Sequence, residues 1–179
     1  MRCAFLLIAF SWPVTLLAQS ATLSFEEMRA HSAFRVPSEA MSPAIRPGEI
    51  VYVDVKNFQP AALTAGSVIA FKLAPASPQL TVKRVVALPG STVHFRDWKL
   101  YVDNREVAEP YVNPDNVTNM DSFEWGPMTV KANCVFVLSD NRDIGNDSRR
   151  NGCVALGDIL GLVKYVAAES SPQSARRIK

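Results

Sequence analysis

The segment Leu80-Thr81-Val82-Lys83-Arg84-Val85-Val86-Ala87-Leu88 is followed directly by Pro89-Gly90. Valine and threonine are β-branched and favour extended backbone, so this run predicts a β-strand from Leu80 to Leu88. The Pro-Gly pair predicts the turn that ends the strand. Lys83 and Arg84 lie inside the apolar run. Charged side chains are rarely buried unless they are paired or have a function.

Similar short runs of β-branched and aromatic residues lie on both sides of this segment. They predict strands at Glu49–Val55, Ser67–Lys72, Thr92–Phe95, Lys99–Val102, Met128–Val130 and Cys134–Leu138. Asp103-Asn104 predicts a hairpin turn, because both residue types tolerate positive φ. Residues 113–127 predict a long excursion from the sheet. The sequence contains no long amphipathic helical pattern, so we expect a mainly β domain of several short antiparallel strands.

Size and charge limit the possible functions. A chain of 179 residues with 48% hydrophobic content is expected to form one domain plus short appendages. The net charge is +2, with the charged residues dispersed, so the sequence lacks the basic stripe typical of nucleic-acid binding. We therefore expect no nucleic-acid partner.

Cysteine and histidine usage argues against a metal site. Cys3, Cys134 and Cys153 are far apart, and His31 and His94 are isolated from each other. We expect no metal ion and no role in catalysis for either histidine. Cys134 and Cys153 could form a disulfide in an oxidising compartment or remain two buried thiols, and the sequence leaves both open.

The N-terminus predicts export from the cytoplasm. Met1-Arg2 precedes an apolar run that continues to Ala18 and is interrupted by Pro13. Residues 1–20 are thus a membrane anchor or a cleavable signal segment, and both readings stay open. We expect residues 21–35 to be a linker, residues 36–168 to form an extracytoplasmic domain, and residues 169–179 to be a polar tail that frays.

Three segments carry the candidate chemistry: Val36–Pro43, Val82–Gly90 and Ser139–Arg149. In this order and at these separations, they resemble the three sequence boxes of type I signal peptidases. The lysine of the second segment is similar to the bacterial and organellar branch of that family. The resemblance implies a Ser/Lys protease on the outer face of the bacterial cytoplasmic membrane. It implies preprotein signal peptides and membrane lipid as partners, and it implies no cofactor.

The resemblance also implies roles for individual residues. The family pattern Pro-Ser-x-Ser-Met-x-Pro is kept except at the second serine, the nucleophile, where this chain has Ala40. Lys83 would be the general base, and its burial would have to lower its pKa before it could accept a proton near neutral pH. Ser38 and the backbone N–H of residue 40 would stabilise the oxyanion. The residues that would contact substrate are Val36, Pro37, Met41, Ile45 and Val82.

The third segment is expected to support the lysine strand. The resemblance implies ion pairs and hydrogen bonds among Arg84, Asp140, Arg142, Asp147 and Arg149. Gly145 stands where many relatives have a serine that hydrogen-bonds the lysine, so the orientation of Lys83 would depend on another donor or on water.

Ala40 has no nucleophilic atom, so the chain as written is expected to be inactive. Ser38 and Ser42 are each two residues away and would place a hydroxyl several ångströms from the required position. Three interpretations follow: a substituted copy of an active peptidase, a natural pseudopeptidase that binds signal peptides, or a conjugative-transfer type of peptidase with one dedicated precursor.

Overall fold

The computed structural model describes residues 31–73, 80–116, 123–144 and 146–178. The predicted mainly β class is confirmed. The larger sheet has the order β1-β2-β11-β3-β4-β9-β10, and β12 pairs with β11. Its strands are β1 (Ser32–Arg35), β2 (Ile50–Asp54), β3 (Val68–Lys72), β4 (Leu80–Ala87), β9 (Cys134–Leu138), β10 (Val154–Ala155), β11 (Ile159–Ala167) and β12 (Arg176–Arg177).

A smaller four-stranded sheet has the order β7-β6-β5-β8. It comprises β5 (Thr92–Arg96), β6 (Lys99–Val102), β7 (Arg105–Glu106) and β8 (Trp125–Thr129). Asp103 and Asn104 both have positive φ, 50° and 62°, and join β6 to β7. The predicted hairpin turn is therefore confirmed. All pairings in both sheets are antiparallel.

Helical structure among the described residues is short. One α-helical turn, α1, spans Ser148–Asn151. Short 3₁₀ segments occupy Glu39–Met41, Pro60–Ala62, Pro114–Asn116, Leu156–Asp158 and Pro172–Ser174. No described helix is long and apolar enough to cross a membrane. Residues 1–30, which include the predicted anchor or signal segment, lie outside the described residues.

Strand β4 is central to the larger sheet. Residues Val68–Lys72 of β3 pair along one side of it, and β9 pairs along the other side with Arg84, Val85 and Ala87. Side chains of the sheet contribute to several apolar clusters, one of which contains Val36, Met41, Ile45 and Val82. This cluster brings the first and second candidate segments together.

Strand β11 was absent from the prediction, although it is nine residues long and pairs with both β2 and β3. Gly161 lies within it, and glycine in a strand interior normally weakens a strand prediction. Here a Cβ at Gly161 would overlap the carbonyl oxygen of Asp54, so only glycine permits this close approach of β11 to β2.

Both ends of the described chain also differ from expectation. Residues 32–35 of the predicted linker form β1 and pair with β2. The prediction of a frayed tail is wrong for residues 172–178, because β12 pairs with β11 and Arg176 hydrogen-bonds Glu49 and the Ala44 carbonyl oxygen. The excursion predicted at 113–127 ends earlier, since β8 begins at Trp125, and residues 117–122 lie outside the described residues.

Candidate active site

Lys83 lies in the middle of β4, opposite Ile69 of β3. Its side chain is buried, and only 4% of the residue is exposed. Desolvation by burial lowers the pKa of Lys83 below its ordinary value, and Arg149 adds to the decrease. The carboxylates of Asp147 and Asp140 oppose it, but desolvation is the larger effect. The environment thus favours a neutral amine at this position.

Ala40 lies in the 3₁₀ turn Glu39–Met41, which packs against β4. The Ala40 carbonyl oxygen accepts a hydrogen bond of 3.0 Å from the backbone N–H of Asn141. Because Asn141 belongs to the third candidate segment and β4 to the second, all three segments converge on this turn. Ala40 itself is buried.

Ser38 occupies the N-cap position of the same turn, and its backbone is extended. Its side chain makes no capping hydrogen bond, and the residue is exposed. A cap serine usually satisfies a backbone N–H of the helix that it begins. The Ser38 hydroxyl therefore does not stabilise the turn through a cap hydrogen bond.

Arg84, the neighbour of Lys83, points into the protein and is 1% exposed. Its guanidinium donates hydrogen bonds to both carboxylate oxygens of Asp140, at 2.8 and 2.7 Å, and to the carbonyl oxygen of Gly66 at 2.9 Å. Burial raises the pKa of the Asp140 carboxyl, while the hydrogen bonds and charge of Arg84 oppose that rise. This pair ties β4 to the start of the third segment.

Two residues that the sequence interpretation did not identify extend this network. The ring of Tyr111 lies under the Arg84 guanidinium, with 4.0 Å from Cζ to the ring centroid. The Tyr111 hydroxyl donates to Glu109, and Glu109 also forms an ion pair with the buried Arg142. Burial, with Glu109 nearby, raises the pKa of Tyr111. The sequence Glu109-Pro110-Tyr111 is typical of an ordinary polar loop. It contains no motif that would predict contacts with Arg84 and Arg142.

Asp147 organises the other end of the third segment. Its carboxylate accepts hydrogen bonds from Arg149 side-chain and backbone nitrogens and from the Ser139 backbone N–H. Burial acts to raise the pKa of Asp147, but the hydrogen bonds and charge of Arg149 outweigh it, and the pKa lies below its ordinary value. Asp147 also caps α1, while the Ser148 hydroxyl accepts from the backbone N–H of Val137.

A groove of about 460 Å³ runs beside the turn that carries Ala40. Four of the five predicted substrate contacts, together with Ser38, line this groove; they are Val36, Pro37, Met41 and Val82. The groove is also lined by Phe34, Arg35, Leu73, Leu80 and Thr81. Ile45, the fifth predicted contact, is fully buried in the cluster with Val36, Met41 and Val82 and is not one of the lining residues.

The chain matches a known protein family over most of its length. The family model for signal peptidase, peptidase S26, matches residues 9–168 of this chain. The chain belongs to the signal peptidase family. The resemblance read from the three segments is thereby confirmed at the level of the family.

Individual signal peptidases are similar over most of their length. Signal peptidase IB from Staphylococcus aureus strain COL is 28% identical over 145 residues, which cover 74% of this chain and 75% of the relative. Signal peptidase I from Bacillus caldolyticus is 29% identical over 143 residues, covering 75% and 78%. A solved signal peptidase I from Enterococcus faecalis is 30% identical, with a TM-score of 0.49, covering 56% of this chain and 96% of that chain.

In this signal peptidase family member, Cys134 and Cys153 form a disulfide, with 5.6 Å between their Cα atoms. The bond joins the first residue of β9 to the residue that precedes β10. The third segment, which contains Asp140 and Asp147, lies inside the loop that this disulfide closes. The cysteine pairing left open by the sequence is therefore present in the structure.

Other side chains of the signal peptidase domain bear on metal binding and on the remaining predictions. Within the described ranges, no group of three or more His, Cys, Asp or Glu side chains is placed to hold a metal ion. His31 packs edge-on against Tyr165, and His94 stacks on Tyr101 of the smaller sheet. Gly145, at which a departure from the family pattern was noted, lies outside the described residues.

Proposed function

We propose that this chain is a Ser/Lys signal peptidase that is inactive as written, because Ala40 occupies the position of the nucleophile. The observation that carries the proposal is the burial of Lys83, with a lowered pKa, on β4, the strand that packs against the turn containing Ala40. A lysine that is desolvated in this way can serve as a general base, whereas a charged lysine cannot.

With a serine at position 40, the reaction would follow the Ser/Lys scheme. The hydroxyl would attack the carbonyl carbon of the scissile bond while Lys83 Nζ takes its proton, and the ammonium would then protonate the leaving amine. A water molecule, deprotonated by Lys83, would next hydrolyse the acyl-enzyme. In the present chain the methyl group of Ala40 cannot form the acyl bond.

The oxyanion would be stabilised by Ser38 and the backbone N–H of residue 40. Two observations support this assignment: the Ser38 hydroxyl makes no cap hydrogen bond, and Ser38 lines the groove beside the turn. A free donor aimed at developing negative charge contributes to catalysis without reorganising.

The groove would bind the segment before the cleavage site in extended form. Strand β9 pairs with β4 from Arg84 onward, so residues 80–82 of β4 keep one edge without a strand partner in the described part of the chain. An extended peptide could add to this edge through main-chain hydrogen bonds. Val36, Met41 and Val82 would form apolar walls for small side chains, and Ile45 would support them from beneath.

The proposed location is the outer face of the bacterial cytoplasmic membrane, with residues 1–20 as the tether and residues 36–168 as the peptidase domain. Support comes from the apolar N-terminal sequence and from the disulfide, because disulfides persist in oxidising compartments. Contact with membrane lipid is part of this proposal. The buried ion pairs around Arg84, Asp140, Arg142, Asp147 and Arg149 would hold the site in place.

The test is cleavage of a purified precursor with an Ala-x-Ala site by the chain as it is and by Ala40→Ser, in detergent. We expect activity only in Ala40→Ser, and we expect Lys83→Ala in that background to abolish it. Ser174→Ala, at an exposed serine that does not line the groove, is the matched control in the Ala40→Ser background.

Inactivity of Ala40→Ser toward a general precursor would overturn the proposal of a substituted general peptidase. Retained binding of a signal peptide to the unchanged chain would then indicate a natural pseudopeptidase. Cleavage of a single dedicated precursor would instead indicate the conjugative-transfer type. The intact groove beside Ala40 is the observation that favours a binding protein as the second candidate.

A further inference from the structure

The buried hydroxyl of Ser139 has no hydrogen-bond partner. The residue is fully buried, and its Oγ is the one buried side-chain polar atom of the described residues without a hydrogen-bond partner. Its backbone N–H is used, since it donates to Asp147 Oδ2 at 3.1 Å. An unpaired buried hydroxyl costs free energy that alanine or glycine would not cost.

The register of the sheet, extended by one residue past the end of β9 at Leu138, would place this hydroxyl beside Lys83. Arg84 of β4 pairs with Leu138 of β9, and Val85 pairs with Val137. Continuing this antiparallel register by one residue sets Ser139 opposite Lys83. Directly opposite residues of an antiparallel pair point to the same face, with their Cβ atoms about 5 Å apart. Val85 and Val137, two residues further along, belong to one apolar cluster, in agreement with that alignment.

The charged groups around Lys83 already have partners. Both Asp140 oxygens accept from Arg84, and both Asp147 oxygens accept from Arg149. Arg149, the remaining charged group that acts on Lys83, offers only donors. The lone pairs of Ser139 Oγ are unused. An ammonium formed at Lys83 has three N–H donors that require acceptors, and this hydroxyl supplies one.

We propose that Ser139 is a positioning residue, whose Oγ accepts a hydrogen bond from Lys83 Nζ when the amine has taken up a proton. The inference rests on the proposed function, in which Lys83 removes the proton of a serine at position 40. The hydroxyl would hold the ammonium in place between proton uptake and its return to the leaving amine. Ser139 is fully buried and does not line the groove, so it is assigned no contact with the peptide.

The first experiment needs no activity. The titration of Lys83 is followed by NMR in the unchanged chain and in Ser139→Ala, with Lys83→Ala used to assign the signal. Loss of an acceptor that favours the charged form should weaken proton binding about tenfold and lower the pKa of Lys83 further. Ser139→Thr keeps the hydroxyl and should keep the pKa of Lys83 at its value in the unchanged chain, if the added methyl group is accommodated. The comparison of Ser139→Ala with the unchanged chain decides the outcome.

The second experiment uses the Ala40→Ser background. Ser139→Ala should lower kcat about tenfold with little change in KM and should move the pH–rate midpoint to lower pH. An unchanged Lys83 titration, together with higher stability of Ser139→Ala, would overturn the inference and leave Ser139 as a merely unpaired hydroxyl. If Ala40→Ser is inactive, the proposed function fails, but the NMR titration still decides the role of Ser139.

Discussion

Arg84 donates hydrogen bonds to both carboxylate oxygens of Asp140, and the side chains of the pair are 1% and 0% exposed. Position 84 is next to Lys83 in β4, and Asp140 is next to Asn141, which binds the Ala40 carbonyl oxygen. The pair thus links the strand that carries Lys83 to the segment that hydrogen-bonds the turn containing Ala40.

Arg84→Met should destabilise the fold severely, because it leaves the Asp140 carboxylate buried without its partner. Removing one member of a buried ion pair costs about 3–5 kcal/mol of unfolding free energy. Arg176→Met is the matched control, since the Arg176 side chain that pairs with Glu49 is 47% exposed and its loss should cost about 0–1 kcal/mol. Urea unfolding of both variants measures the difference, and equal losses would contradict a structural role for the buried pair.

Much of the fold could be predicted because its strands are locally distinctive. The runs Leu80–Leu88 and Cys134–Leu138 are β-branched, bounded by turn residues, and both appear as strands. Strand β11 could not be predicted, because Gly161 is explained only by its close approach to Asp54. That contact joins residues distant in the sequence. Strand β12 could not be predicted for the same reason. Arg176-Arg177 is typical of a solvated tail, and only its pairing with β11 makes it a strand.

The candidate site likewise contains residues that a motif indicated and residues that no motif indicated. The resemblance implied that Asp140 supports the lysine strand, and Asp140 does pair with Arg84 of β4. Glu109 and Tyr111 belong to no motif, and only the stacking of Tyr111 on Arg84 reveals their part in the network. Ser139 likewise looks ordinary in the sequence, and its unpaired hydroxyl is visible only in the folded chain.

Stability should depend on pH through Lys83. Its pKa in the folded chain is lowered from 10.5, whereas the unfolded chain keeps the ordinary value. Between the two values the unfolded chain holds a proton that the folded chain has released, so unfolding free energy rises as pH increases through this window. Lys83→Met should remove this part of the slope and stabilise the protein below the window. Denaturation at a series of pH values checks it, and an unchanged slope would contradict the burial of a neutral amine.

The activity of Ala40→Ser should increase with pH for the same reason, because only neutral Lys83 can accept the serine proton. The midpoint of the rate–pH profile should lie below 10.5, the ordinary lysine value. Asp147→Asn removes a carboxylate that favours the charged amine, so the midpoint should move to lower pH in that variant, provided that it folds. A midpoint that moves upward would show that Asp147 acts on the lysine in another way.

The disulfide should stabilise the segment that carries Asp140 and Asp147. Cys134 and Cys153 are separated by 19 residues, and a closed loop of this size contributes about 3 kcal/mol to unfolding free energy. The double variant Cys134→Ser/Cys153→Ser should lose about that amount, as should the unchanged chain in reducing agent. Reducing agent should leave the double variant unaffected. Equal stability of both proteins in oxidising conditions would contradict the prediction.

The groove can be tested by a matched pair of surface substitutions. Leu80 and Val55 are exposed to the same degree, 38% and 39%, but only Leu80 lines the groove. In the chain that retains Ala40, Leu80→Asp should weaken binding of a labelled signal peptide about tenfold, because an apolar contact worth about 1.4 kcal/mol is lost. Val55→Asp should leave binding unaltered, because its side chain does not reach the peptide. Fluorescence anisotropy measures both affinities, and equal weakening by the two variants would show that the peptide binds elsewhere.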